Sequence, residues 1–164
     1  MIIRYLFAFL LVTSIFACTG DQGNVASTAP ATSPAPAAPP PVVYESIEIA
    51  RLENLFANAT YMDATFYDLP VSINQSELPQ IQSTLSGVSS EPMPLDPACK
   101  PLGHIWFQIN GKNIEEADIY FQQECVGYVW YENGKPAYSN KLTREGMNFY
   151  ANILQSVEQQ TGQQ

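Results

Sequence analysis

The spacing of apolar residues predicts a helix followed by a strand at the start of the folded region. Ile49, Leu52 and Phe56 recur at helical spacing, which predicts a first helix over about residues 45–58. The next run, YMDATFYD, alternates between apolar and polar positions over residues 61–68. This alternation predicts a strand.

A short second helix is predicted over residues 76–87. Ser76 is a suitable N-cap, Pro79 is tolerated in a first turn, and Gly87 is a suitable helix end. The proline-rich stretch SSEPMPLDPACKPLG that follows predicts a loop crossing to a sheet.

The second half of the chain has the pattern of an antiparallel β-meander. Four runs, HIWFQIN, ADIYFQQE, VGYVWYE and PAYSNKL, are separated by turn residues, and Asn133-Gly134 is a strong hairpin signal. Thr143 then caps a last helix, in which Met147 and Tyr150 share one face. The expected fold class is α+β, a meander of about four strands packed against N-terminal and C-terminal helices.

The chain divides into three segments by composition. Residues 1–17 combine a basic start with an apolar run, which is typical of a secretory signal peptide. Residues 18–43 are dominated by Ala, Pro, Ser and Thr and predict a disordered tether. Residues 44–164 form one predicted α+β domain.

The end of the leader resembles the lipobox of bacterial lipoproteins. The residues that carry the resemblance are Ile15, Phe16, Ala17 and Cys18. It implies cleavage before Cys18 by signal peptidase II and lipidation of the thiol, which would anchor the protein in a membrane. Thr19 stands where an aspartate would signal retention in the inner membrane, which favours the outer membrane. The alternative is an ordinary signal peptide with an incidental thiol.

Cys99 and Cys125 remain once Cys18 is lipidated. Because an exported protein matures in an oxidising compartment, we expect one disulfide between them. On the chain-entropy model it would stabilise the fold by roughly 3.5 kcal/mol.

Alternation in the meander predicts an aromatic face on the sheet. The isoleucines and phenylalanines at 105, 107, 109, 119 and 121 are expected to face the helices. If Val129 does so too, then the opposite face carries Trp106, Tyr120, Tyr128 and Trp130. Exposed, these four would form a binding platform for a peptide or a sugar. Covered by the first helix or the proline-rich loop, they would instead be a second layer of core.

The charge balance argues against nucleic acid as a partner. The chain has 7 basic and 16 acidic residues, and removal of Arg4 with the leader gives 6 − 16 = −10. Such acidity allows a basic protein partner, or it serves only to keep a small exported domain soluble.

Candidate catalytic residues are few. His104, the only histidine in the chain, is expected at the surface at a strand end, and Glu115, Glu116 and Asp118 are expected in a solvated turn and strand edge. The acidic cluster lacks the spacing of a calcium loop. No catalytic residue, metal or cofactor is predicted.

We therefore expect a membrane-anchored bacterial envelope lipoprotein that acts by binding rather than by catalysis. The expected ligand is an envelope protein, a peptide or a glycan. The alternatives are an inhibitor of a basic envelope enzyme such as a lysozyme, a small carboxylate-dependent envelope hydrolase, and a purely structural lipoprotein.

Overall fold

A computed structural model describes residues 39–161. Cys18 and the lipobox lie outside these residues, as do the leader and most of the predicted tether. The helices and strands, in chain order, are β1 (Val42–Val43), α1 (Ile49–Asn58), β2 (Tyr61–Phe66), β3 (Ser72–Gln75), α2 (Leu78–Leu85), β4 (Pro94–Leu95), β5 (Gly103–Ile109), β6 (Lys112–Gln122), β7 (Cys125–Glu132), β8 (Lys135–Lys141) and α3 (Arg144–Thr161).

The sheet topology confirms the predicted α+β class. One antiparallel sheet has the strand order β3-β2-β5-β6-β7-β8, and β1 pairs separately with β4. Strands β5 to β8 are the predicted meander, and β2 and β3 extend it on one side. The short strands β1, β3 and β4 were not predicted, because each has too few residues to show a period.

The first helix begins at Ile49, later than predicted. The chain before it is held against β8 instead, where Ser139 N–H donates to the carbonyl of Glu45 at 2.8 Å. Ile47 N–H also donates to Oδ1 of Asn140, at 3.2 Å. These two bonds take up backbone groups that would otherwise enter a helical turn.

The predicted caps have different outcomes. In α2 the N-cap position is occupied by Glu77, with no side-chain capping bond, so the prediction of Ser76 as the cap is wrong. Thr143 does cap α3, because Gly146 N–H donates to its Oγ1 at 3.2 Å.

Two Asn-Gly pairs make the tight turns of the meander. Asn133 and Gly134 have φ of 53° and 73°, and Asn110 and Gly111 have φ of 51° and 75°. Positive φ at both central residues is the geometry of a type I′ turn, which matches the twist of antiparallel strands. The hairpin predicted at Asn133-Gly134 is confirmed.

The helices cover one face of the sheet, called here the inner face, and the main core lies between them. Leu55 from α1, Ile81 from α2 and Tyr150 from α3 are all buried there. The buried residues that the sheet contributes to this core are Met62, Ala64, Phe66, Ile105, Phe107, Ala117, Ile119, Tyr128 and Trp130.

The opposite, outer face is partly covered by the segment that contains β4. Met93 packs there in a second apolar cluster. A Cβ on Gly127 would lie 2.8 Å from Sδ of Met93, so the absence of a side chain on Gly127 allows this close approach. The disulfide Cys99–Cys125 joins the covering segment to β7, and the predicted pairing is confirmed.

Strand β1 lies before the domain boundary predicted at residue 44. Val42 pairs with Leu95 and Val43 with Pro94, so β1 lies inside the segment expected to be a disordered tether. Val42 and Val43 are β-branched and therefore favour a strand, and β4 lies opposite them as a pairing partner. This explains why the end of the predicted tether forms a strand. Among the described residues, the helices are all too short or too polar to cross a bilayer.

Candidate functional site

Two of the four residues predicted for the aromatic face belong to the inner face. Tyr128 lies opposite Ile119 and Trp130 opposite Ala117, and residues directly opposite on neighbouring strands share a face. Both rings are fully buried. Their placement in a binding platform is therefore wrong, because the premise that Val129 faces the helices is wrong.

Both residues have core roles. The hydroxyl of Tyr128 lies 2.6 Å from that of Tyr150, and the indole N–H of Trp130 donates to Oδ1 of Asn140 at 3.0 Å. Each buried polar group thus has a partner, as a core requires. Burial raises the pKa of the Tyr128 hydroxyl far above its usual value.

Tyr120 is on the outer face as predicted, but it is covered. It packs with Met93, Val129 and Cys125 beneath the segment that contains β4. The alternative that the proline-rich loop covers this face is therefore confirmed for Tyr120. Trp106 is the only one of the four that remains on the uncovered part of the outer face, where it is half-buried.

A histidine and an aspartate form the centre of the uncovered area. His104 on β5 lies directly opposite Asp118 on β6, with Nδ1 2.7 Å from Oδ1. Two tyrosine hydroxyls also donate to this carboxylate, Tyr131 to Oδ2 at 2.8 Å and Tyr67 to Oδ1 at 3.3 Å. Three side chains thus converge on one carboxylate.

These hydrogen bonds determine the ionisation of the cluster. Burial alone would raise the pKa of Asp118, but the hydrogen bonds from His104 and Tyr131 and the nearby imidazole hold it below its usual value. Burial and the neighbouring carboxylate raise the pKa of both Tyr67 and Tyr131. At neutral pH the centre is therefore an ionised carboxylate held by neutral phenols.

His104 supports Trp106. The two ring centroids are 4.4 Å apart at an interplanar angle of 51°, and the ring centroid of Tyr131 lies 5.7 Å from that of His104. With 13% of its side chain exposed, His104 is far more buried than the surface position expected for it. Because a hydrogen bond to Asp118 orients the imidazole, the indole of Trp106 packs against a ring whose orientation is fixed.

The far nitrogen of His104, Nε2, makes no hydrogen bond to a residue that the structure describes. Among the described residues, Nε2 is buried without a hydrogen-bond partner, and the nearest carboxylate oxygen recorded, of Glu116, is 3.7 Å away. Cys99 and Cys125 are joined in the disulfide. A nucleophile activated by this imidazole would have to donate a hydrogen bond to Nε2, which no described side chain does.

A shallow groove of about 220 Å³, here called the Trp106 groove, lies on the outer face. Strands β2, β5 and β6 contribute its walls, and Gln108 Nε2 donates to Oδ1 of Asn113 at 2.9 Å across it. The lining residues are Tyr61, Asp63, Trp106, Gln108 and Asn113. Asn113 also lines a neighbouring groove of about 320 Å³ that reaches Glu116 and Tyr131.

The predicted acidic cluster is divided between two environments. Glu115 is buried and pairs with both Nε and Nη2 of Arg51, at 2.8 Å and 2.6 Å, so it is not the solvated residue expected. Asp118 is buried in the cluster on the outer face, and Glu116 is half-buried beside Trp106. In the described part of the chain, no group of acidic, histidine or cysteine side chains is arranged to hold a metal ion.

Comparisons with protein-family models, with curated proteins and with solved structures give no match.

Proposed function

We propose that this chain is a membrane-anchored lipoprotein of the bacterial envelope, more specifically of its outer membrane, whose folded domain binds a glycan in the Trp106 groove. The leader and the lipobox at Cys18 support the anchor and the location. The composition of the groove supports the ligand class, and it is the observation on which the proposal rests.

The groove offers the groups that recognise a sugar. A pyranose ring has an apolar face of C–H groups, which packs on an indole or a phenol ring such as Trp106 and Tyr61. Its hydroxyls need donors and acceptors at the edge of that platform, and Gln108, Asn113 and Asp63 supply them. The carboxylate of Asp63 favours a neutral or cationic sugar over an anionic one.

Rigidity of the platform supports affinity. The Trp106 ring packs on His104, which Asp118 holds through a 2.7 Å hydrogen bond. A ligand that stacks on Trp106 therefore meets a side chain that is already ordered, and less conformational entropy is lost on binding.

The two buried carboxylates of β6, Asp118 and Glu115, do not favour hydrolysis. A glycosidase with two carboxylates uses one of them as an acid, which needs a raised pKa. The pKa of Asp118 is lowered, and Glu115 is fully engaged by Arg51. Neither residue is suited to the role of the acid.

Tryptophan fluorescence tests the proposal, because the chain has two tryptophans and only one is accessible. Trp130 is 0% exposed and Trp106 is half-buried at the groove. Titration of the purified full chain with a tetrasaccharide of β-1,4-linked glucosamine, and with its N-acetylated form, should change the emission of Trp106. Calorimetry with the same probes should then give the affinity of wild type and variants.

Trp106→Ala should weaken saccharide binding by at least about tenfold, equivalent to about 1.4 kcal/mol. Phe56→Ala is the matched control, since Phe56 is an aromatic residue on α1 that is 45% exposed and lies outside the groove. A folded wild-type protein that binds neither saccharide would contradict the proposal, as would equal losses in both variants.

A basic protein is the second candidate partner, and the carboxylates around Trp106 favour it. Asp63 on β2 and Glu116 on β6 lie directly opposite Trp106, one on each side. Inhibition of lysozyme by the full chain would test this candidate. Binding through these charges should weaken steeply as salt is added, whereas saccharide binding should change little.

A further inference from the structure

A second groove lies on the other side of the molecule, between the edge of the sheet and the last helix. Its volume is about 310 Å³, and Ile73 on β3 and Ile153 on α3 form its apolar floor. We call it the β3–α3 groove. Its lining residues are Val71, Ile73, Phe149, Asn152, Ile153, Ser156, Val157 and Gln160.

None of the lining residues carries a charge, although the chain as a whole has a net charge of −9. In residues 146–161 of α3 the only charged residue is Glu158, and β3 itself, SINQ, has none. A surface that receives a basic partner would present carboxylates to it. The surface of the β3–α3 groove has no carboxylate among its lining residues, so two copies of this acidic chain can meet there without placing like charges in contact.

The strand beside the groove has a free edge. Within residues 39–161, β3 pairs with β2 on one side and is the outermost strand of its sheet. Ser72 and Asn74 on this strand are exposed. Natural proteins protect an outer strand by keeping it short, or with charged side chains or proline; β3 is four residues long and has neither a charge nor a proline. An edge without a charge or a proline can add another strand through main-chain hydrogen bonds.

We propose that the β3–α3 groove is the interface between two copies of this chain. The two β3 strands pair in antiparallel fashion across a two-fold axis, which joins the two sheets and brings the same uncharged groove of each copy to the other. Such an isologous contact needs one self-complementary surface, and an uncharged, apolar one meets that need on an acidic protein. This inference is independent of the proposed glycan binding.

Matched charge substitutions on α3 test the interface. Ser156 lines the groove and its neighbour Gln155 does not, and both are exposed. Sedimentation velocity of the full chain in a mild non-ionic detergent should show a dimer for wild type and for Gln155→Glu. Ser156→Glu should weaken the dimer by at least about tenfold, because two like charges face each other across the axis.

Salt identifies the kind of surface involved. Self-association of an acidic chain through an uncharged face should strengthen as salt screens the remaining repulsion. Weakening by salt would indicate an interface made of ion pairs and would overturn the proposal.

Cross-linking tests the same contact in the intact membrane. A cysteine introduced by Asn74→Cys lies close to the two-fold axis and should form a disulfide-linked dimer under mild oxidation. Lys135→Cys, exposed in the hairpin between β7 and β8, should not. A monomeric wild type at every salt concentration, without an Asn74→Cys cross-link, would overturn the proposal and leave the groove to a different partner. A dimer that both α3 variants retain would overturn it as well.

Discussion

The imidazole Nδ1 of His104 lies 2.7 Å from Oδ1 of Asp118, and the two residues stand directly opposite each other on β5 and β6. Tyr131 on β7 donates to the other oxygen of this carboxylate. One side chain therefore links three adjacent strands on the outer face. The same contact orients the ring on which Trp106 packs, so the stability of the sheet and the shape of the candidate site depend on one group.

The first prediction concerns the pH dependence of stability. The pKa of Asp118 is lower in the folded chain than in the unfolded chain, so its ionised form stabilises the fold. This contribution is fully present above about pH 4, near the pKa of an unfolded aspartate. The contribution is lost as the pH falls through the lower pKa that Asp118 has in the folded chain. Urea unfolding between neutral and acidic pH should show a free energy of unfolding that declines over this range.

Asp118→Asn should have a lower free energy of unfolding at neutral pH and a weaker decline with acid. Asp63→Asn removes a carboxylate from the same face of the sheet, on β2, which β5 separates from β6, and serves as the control. An Asp118→Asn protein that declines with acid as steeply as wild type would contradict this assignment.

The second prediction separates two ion pairs made by Arg51. Glu115 is 6% exposed and accepts two hydrogen bonds from the guanidinium, whereas Glu132 is 48% exposed and accepts one, at 3.1 Å. Glu115→Gln should lower the free energy of unfolding by about 2–3 kcal/mol, because it leaves Arg51 without its buried partner. Glu132→Gln should cost less than about 1 kcal/mol. Equal effects in urea unfolding would contradict this ranking.

The third prediction separates the two tryptophans. Trp130 is fully buried and its indole bonds Asn140, so Trp130→Phe should lower the free energy of unfolding by about 1–3 kcal/mol. Trp106→Phe should cost less than about 1 kcal/mol, because the ring is half-buried and a smaller ring can still pack on His104. Thermal unfolding of both variants provides the comparison. If Trp106→Phe lowers the free energy of unfolding more than Trp130→Phe does, the assignment of Trp106 to the surface and Trp130 to the core is wrong.

The sequence predicts the fold better than the site, and strand register explains the difference. The two-residue turn at Asn110-Gly111 alone would pair His104 with Ala117. A bulge between Phe107 and Gln108 shifts the register by one residue and places Asp118 opposite His104. Neither a period nor a motif indicates the bulge, so the contact could not be predicted.

The error at Tyr128 and Trp130 has the same origin. The turn between β6 and β7 is formed by Gln123 and Glu124, which are not typical turn residues. Without a turn signal the register of β7 could not be determined, and a shift of one residue moves every side chain to the other face. Two predictions that rest on local chemistry, the Asn133-Gly134 hairpin and the Thr143 cap, are confirmed, whereas the Ser76 cap is not.

The fourth prediction concerns the disulfide. Cys99 and Cys125 are separated by 26 positions, and closing a loop of this length should stabilise the fold by roughly 3.5 kcal/mol. Urea unfolding of a Cys99→Ala/Cys125→Ala protein should show a loss of about this size, and reduction of wild type should give a similar one. The reducing agent should leave the double variant unchanged. If the reducing agent also lowers the free energy of unfolding of the double variant, the loss seen in wild type does not come from the disulfide.

The last prediction concerns the anchor at Cys18. If the lipobox is processed as in bacterial lipoproteins, the mature chain begins at Cys18 and carries acyl chains, and more than one chain makes a stable membrane anchor. The intact mass of the protein expressed in a bacterium should include these chains, and the protein should partition into the detergent phase with the outer membrane fraction.

Cys18→Ala should abolish the acyl mass, and Thr19→Ala is the matched control that leaves the thiol in place. Because the uncleaved leader of the Cys18→Ala chain is itself apolar, mass rather than partition distinguishes the two cases. Equal masses for Cys18→Ala and wild type, after correction for the substitution, would show that Cys18 is not acylated. The domain would then be exported without a lipid, and any role in binding glycan would not depend on a membrane.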